Sequence, residues 1–292
     1  MTTSLGRRAL FSLVTSELLA GAVQRAPLLS RAGLRAARRY VAGTTRDEAF
    51  EVAARLAAHG VATSIDLFGE MVSDPAEAER VTGEYVELAK LSADLPEDTW
   101  LAVDLSHIGL DVSPALCRRQ VARIVEALPI GRWLQVGAED SARTDAALDV
   151  VTALAGESAP LTMTVQANLR RSPADVRRLA EAEVPIRLVK GAYVEPPAVA
   201  LSWGRPTDLA YARIATDLVQ AGARVSLATH DDDLREGLLA ALGAQPVEML
   251  YGVRHHAAAG LVARGLPVRL YVSFGDGWLR YWLRRLAESR GA

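Results

Sequence analysis

Eight short apolar runs recur along the chain from residue 61 onward. They are VATSIDLF (61–68), WLAVDLS (100–106), WLQVG (133–137), LTMTVQA (161–167), PIRLVKG (185–191), RVSLATH (224–230), PVEMLYG (246–252) and VRLYVSF (268–274). Each is rich in Val, Ile, Leu or Tyr and reads as apolar on both faces, as suits a buried parallel strand. Helix-like segments with start signals lie between them. Ser73-Asp74-Pro75 offers an N-cap and a first-turn proline, Ser172-Pro173 repeats the device, and Asp231–Asp233 opens a segment that runs to Gly243. Strands alternating with helices in this way predict an α/β fold, a (β/α)8 barrel of the TIM type. A doubly wound open sheet is the rival, but no G-x-G-x-x-G follows any strand here.

The chain ahead of the first strand differs. Met1–Arg46 holds eight arginines and one acid, Glu17, which lies inside its most apolar stretch. Transit peptides share that composition. Apolar periodicity that continues to Val52 favours a helical arm packed on the main domain. The expected organisation is an arm over residues 1–55 and a barrel over 56–292.

Bulk properties narrow the function. A chain of 292 residues, half of them hydrophobic, can bury a core without staples. A formal net charge of −2 gives no electrostatic reason to expect nucleic acid. The single cysteine, Cys117, excludes an internal disulfide framework and a multi-cysteine metal site, and its helical context reads as structural. The five histidines show no metal spacing, and His255-His256 read as surface residues. No metal is expected. No apolar run reaches the roughly 18–20 residues of a membrane span.

In a barrel, chemistry gathers where strands end. The strand ends here carry Glu70, Asp104, Gly137, Gln166, Lys190, Tyr193, His230, Tyr251 and Tyr271. Apolar strands that stop repeatedly on polar residues predict a lined pocket. The last segment, GWLRYWLRRLAES, places Tyr281, Arg284, Arg285 and Glu288 on one helical face. Two arginines beside a tyrosine suit a carboxylate or phosphate, which a guanidinium binds bidentately. There is no G-x-S-x-G, no H-E-x-x-H and no nucleophile with a base. Cations at strand ends without an acid–base pair fit a site where a cofactor does the chemistry.

RLVKGAYVEP (187–196), SLATHD, EMLYGVR and YWLRR resemble, in order, the signature stretches of the proline dehydrogenase family in its monofunctional bacterial form. YVAGTTRDEA (40–49) and LFGEMVSDPAEAERVTGEY (67–85) extend the likeness over most of the chain. The resemblance implies FAD on a (β/α)8 barrel, with hydride transfer from an amine or amino-acid substrate. It implies that Arg187 lies near flavin N5, that Lys190 contacts the cofactor, and that Gln166 meets the pyrimidine edge. Gly191 would let the backbone approach the cofactor. Thr229, His230 and Glu288 would hold the dinucleotide. Tyr193, Leu250 and Tyr271 would wall the substrate, Tyr281 would pack on its ring, and Arg284 with Arg285 would clamp its carboxylate. Glu70 would pair with the first of those arginines to close the pocket. Cations near the flavin stabilise its anionic reduced form. The family's quinone acceptor implies a cytoplasmic chain, peripheral at the membrane.

Two positions depart from the family pattern. The expected lysine at the end of strand 2 is Asp104, and the expected aspartate at the end of strand 3 is Gly137. Asn168, where an aromatic is usual, is a milder departure. A carboxylate at 4–6 Å from a substrate carboxylate costs roughly 3–4 kcal/mol at an effective dielectric near 20. Gly137 is expected to enlarge the pocket. Asp104 is thus expected to set specificity away from plain proline, with Gly137 beside it in the substrate pocket. Three readings stay open: oxidation of a related amine in a specialised biosynthetic pathway, L-proline oxidation to 1-pyrroline-5-carboxylate in proline catabolism, and a non-catalytic flavin-binding sensor.

Overall fold

Each apolar run becomes a strand, and seven of the eight strands are shorter than their runs. The computed structural model describes residues 37–278 together with Trp282. Among them, α1 (Arg46–Ala57) precedes β1 (Ala62–Leu67). Then follow α2 (Pro75–Leu91), β2 (Thr99–Val103), α3 (Pro114–Ala127), β3 (Leu134–Val136), α4 (Thr144–Ala155), β4 (Leu161–Gln166) and α5 (Ser172–Glu181). The chain continues through β5 (Ile186–Val189), α6 (Arg205–Gln220), β6 (Val225–Ala228), α7 (Asp232–Leu242), β7 (Val247–Leu250), α8 (His255–Ala263) and β8 (Val268–Phe274). The strands are parallel and form a closed barrel in sequence order, β8 pairing with β1. This is the predicted α/β architecture, a (β/α)8 barrel.

The helix starts follow local chemistry. Asp74 accepts from Ala76 N ahead of Pro75, and Asp231 accepts from Leu234 N. These groups satisfy amide donors that the first helical turn leaves unpaired. Ser172 differs from expectation. It is already inside α5, and its hydroxyl donates to the Gln166 carbonyl at 2.5 Å, so it anchors the helix to the end of β4.

The strands are not apolar on both faces, as the composition of the runs suggested. Ile65, Leu101, Val136, Leu188, Leu227 and Met249 face outward into one core with the helices. The alternate positions face inward and are largely polar: Ser64, Gln135, Thr164, Arg187, Glu248 and Ser273 are all buried. Strand register carries this inner face round the barrel, with Thr164 beside Arg187, Arg187 beside Ser226 and Asp66 beside Ser273. Hydrophobic stabilisation therefore comes from the shell between strands and helices. The barrel interior must be stabilised by hydrogen bonding.

α1 spans the boundary expected at residue 55. Its Thr45–Glu48 capping box starts it beside the carboxyl end of β8, where Ala42 N donates to Ser273 O and Gly275 N to Gly43 O. It then packs on β1 and β8, burying Ala49, Val52 and Ala53. That fills the slot in the helical ring between the last strand and the first. The chain leaving β8 stays at the carboxyl end instead. There Trp278 packs with Ala37, Tyr40 and Val41, and against Phe68, Val253 and Trp282.

Gly252 holds this cap close to the β7–α8 loop. Its φ is 77°, and a Cβ there would overlap the Arg39 carbonyl. Gly252→Ala is expected to cost at least about 1 kcal/mol, the left-handed backbone penalty alone. Urea unfolding would show a lower midpoint at unchanged slope, and an unmoved midpoint would contradict this account of the cap.

Candidate active site

β5 ends in the stretch that gathers the most chemistry. Arg187 is buried on the inner face, and its Nε donates to Glu248 Oε2 at 2.8 Å. The same oxygen accepts from Gln135 Nε2 at 2.9 Å, and Ser226 Oγ donates to Oε1 at 2.7 Å. The Arg187 guanidinium lies 5.2 Å from the centre of the Tyr271 ring. Burying a charge is tolerated when it is paired and hydrogen-bonded, and this network does both. Among the described residues, no acceptor meets the two terminal nitrogens of Arg187.

Past the strand, Lys190 Nζ sits 2.6 Å from both Asp208 Oδ1 and Asp231 Oδ2, tying β5 to α6 and α7. Burial lowers its pKa, but the two carboxylates outweigh burial, and the net shift is upward. Gly191 has φ 118°, and a Cβ there would overlap the Asn168 carboxamide. The close approach this glycine permits is to Asn168, within the protein. Asn168 is almost fully buried, and its Oδ1 has no hydrogen-bond partner among the described residues.

Gln166 links three strand ends. Its Nε2 donates to the Glu139 carbonyl at 2.8 Å, and its Oε1 accepts from Ala192 N at 3.2 Å. One amide hydrogen is left over for a ligand. Thr229 Oγ1 accepts from Asp231 N, and His230 Nε2 accepts from Leu250 N at 3.1 Å. The latter bond fixes the imidazole tautomer and ties the ends of β6 and β7. Tyr193, Leu250 and Tyr251 are half-buried at strand ends and Tyr271 is buried within β8. Burial, with Asp66 and Asp104 nearby, holds the Tyr271 phenol protonated far above the usual range.

Asp104 and Gly137 form one unit. Asp104 follows β2 directly, and a Cβ at residue 137 would overlap its Oδ1. The sequence suggested that Gly137 opens space. The structure shows that the Asp104 carboxylate fills that space.

Glu70 is half-buried on the loop after β1. That loop rests on the turn after β2. Met71 N donates to Ser106 Oγ at 2.8 Å, Val72 N donates to the Ser106 carbonyl at 3.0 Å, and a Cβ on Gly69 would overlap the His107 ring. Ser106 N in turn donates to Glu139 Oε2. Burial pushes the Glu139 carboxyl above its usual range, against the pull of Ser106 and Arg143. Tyr281, Arg284, Arg285 and Glu288 lie outside the described residues.

The structure thus places Gln166, Lys190, Gly191, Thr229 and His230 at or just past the carboxyl ends of β4, β5 and β6, while Arg187 lies deeper, mid-strand in β5 beside Thr164 and Ser226. Sequence reading missed Glu248, Gln135 and Ser226, because it searched strand ends and these lie mid-strand. The available signal was one polar residue inside each of VEML, LQV and VSLA. Cys117 is buried in α3, consistent with a structural role, and His256 is exposed. Among the described residues no helix is long and apolar enough to cross a membrane.

Fold and site define a (β/α)8 barrel with a buried guanidinium–carboxylate pair, Arg187–Glu248, in its interior. A family model described as proline dehydrogenase matches residues 49–292. Proline dehydrogenase 1 of Bacillus subtilis (strain 168) is 31% identical over 260 residues, covering 86% of each chain. The proline dehydrogenase of Deinococcus radiodurans is 31% identical over 269 residues, covering 87% of this chain and 86% of its own. Proline utilization A (PutA) from Bdellovibrio bacteriovorus shares the fold with a TM-score of 0.76 at 22% identity. That match covers 87% of this chain and 32% of the PutA chain, so this chain spans about a third of that protein. This chain belongs to the proline dehydrogenase family.

Two measurements test the site. Gly137→Asp alone forces two carboxylates into one space and should lower stability by about 1–3 kcal/mol, the usual cost of overpacking. Adding Asp104→Lys should recover most of that loss, because lysine and aspartate then pair. Equal stability of the single and double variants would contradict the coupling. The second concerns His107, whose pKa burial pushes down to about 4. The unfolded chain takes up this proton near pH 6.5 and the folded chain only near pH 4. Stability should therefore fall as pH drops through that window, by up to about 1.4 kcal/mol per pH unit from this group. His107→Gln should flatten the slope, and an unchanged slope would contradict it.

Proposed function

We propose that this chain is an FAD-dependent oxidoreductase that oxidises the C–N bond of proline or a closely related amine. The observation that carries this reading is Arg187: a buried cation at the centre of the barrel whose terminal nitrogens have no acceptor among the described residues. FAD, when bound, would supply a hydride acceptor at N5. The residues present fit it. Arg187 would face the acceptor end of the ring system and favour the anionic reduced state. Gln166 has one amide hydrogen for the pyrimidine edge. Asn168 offers a buried carboxamide oxygen without a partner among the described residues. Lys190, Gly191, Thr229 and His230 frame the ends of β5 and β6, and Glu288 would help hold the dinucleotide.

On the substrate side, Tyr281 would pack on the ring, and Arg284 and Arg285 would bind its carboxylate. Tyr193, Leu250 and Tyr271 would wall the pocket, with Glu70 closing it. No side chain is assigned as the base, so the amine binds deprotonated or gives its proton to water. Asp104, seated in the space at Gly137, adds a negative charge beside Tyr271. Relative to the lysine of the family pattern, it would favour a substrate amine and disfavour a carboxylate there. This favours a relative of proline with less negative charge there, in a specialised biosynthetic pathway. The reading also takes a quinone as acceptor and a cytoplasmic chain peripheral at the membrane.

The test is anaerobic mixing of the FAD-loaded protein with L-proline and with cyclic amines that lack the carboxylate. Bleaching of the flavin absorbance is expected, faster with the amines than with proline. Bleaching by proline alone would overturn the role given to Asp104. Bound flavin that no amine reduces would overturn the dehydrogenase reading in favour of a sensor.

A further inference from the structure

Glu248 stands between two jobs. Its carboxylate binds Arg187 from two strands away, and it also receives Gln135 from β3. In an eight-stranded barrel β3 and β7 face each other, so the Gln135–Glu248 bond crosses the interior. Both oxygens are in use: Oε2 accepts from Arg187 and Gln135, and Oε1 accepts from Ser226. Glu248 is 5% exposed and Gln135 fully buried, so these bonds form in a low-dielectric setting where charge is felt strongly. None of the three contacts the carboxyl end of the barrel directly. A cavity of about 660 Å³ opens at the amino ends of the strands, and Arg187, Ser226 and Glu248 line its inner part. That cavity lies on the side opposite the proposed flavin site.

We propose that Glu248 is a positioning residue that sets both the orientation of Arg187 and the share of its positive charge that reaches the flavin. By engaging Nε, the carboxylate leaves the two terminal nitrogens free. A carboxylate in contact offsets much of the guanidinium's field, and Gln135 and Ser226 moderate that offset by drawing on the carboxylate's charge. The supports from β3 and β6 thus adjust how strongly Arg187 favours the reduced cofactor. The inference rests on the flavin reading above.

The test is the midpoint potential of bound FAD in wild type, Glu248→Gln and Ser226→Ala. Glu248→Gln keeps the shape and removes the negative charge. Its potential should rise by about 30 mV or more, the equivalent of a tenfold change in a two-electron equilibrium. Ser226→Ala removes a donor to the carboxylate, which then neutralises Arg187 more fully, so its potential should fall. A merely structural role would weaken flavin binding in both without opposite shifts. If Glu248→Gln holds no flavin, the sign of the Ser226→Ala shift decides. A potential in Glu248→Gln equal to or below wild type, or an unmoved or higher one in Ser226→Ala, overturns the inference while leaving the flavin reading intact. A wild-type chain that takes up no flavin overturns both.

Discussion

The ion pair between Arg187 and Glu248 is the interaction on which the interior of this barrel depends. A (β/α)8 barrel is usually filled by layers of branched apolar side chains. This one carries a guanidinium and a carboxylate at its centre, 2.8 Å apart, with Gln135 and Ser226 completing the carboxylate's bonds. Taking either charge out of water alone would cost several kcal/mol. Removing one partner would strand the other, so the four side chains stand or fall together. The stability of the fold is supplied elsewhere, by the apolar shell between strands and helices. That division leaves the interior free to hold polar groups for function.

The same division shapes the topology. α1 precedes β1 yet completes the helical ring next to β8, so the chain after β8 has no slot left beside the barrel. Trp278 accordingly packs at the carboxyl end, on Tyr40 and Val41 and against Phe68 and Val253.

The fold was readable in the sequence because its signals are local. Runs such as VRLYVSF and LTMTVQA, bounded by turns, mark strands to within a residue or two, and Asp74-Pro75 and Asp231 mark helix starts by satisfying nearby amides. The strand ends were legible as positions: Gln166 closes β4 and Lys190 follows β5, as the runs suggested, whereas Arg187 lies mid-strand. Readings that required distant partners failed. Apolar composition hid the alternation within IRLV and VEML, so a polar interior looked like an oily one. Gly137 looked like a gap because nothing in the local sequence says that Asp104, 33 positions earlier, turns into it. Glu248 was invisible because its meaning comes from Gln135, 113 residues away.

The proposed flavin site extends from the ends of β4, β5 and β6 down to Arg187 inside the barrel. Titration of the purified chain with FAD, followed by flavin fluorescence, tests this most directly when wild type is compared with Arg187→Met. Saturable binding of one flavin per chain is predicted. The variant should bind at least about tenfold more weakly, the loss expected when a charged hydrogen-bond donor is removed. Wild type without saturable binding, or a variant that binds as tightly as wild type, would contradict the account.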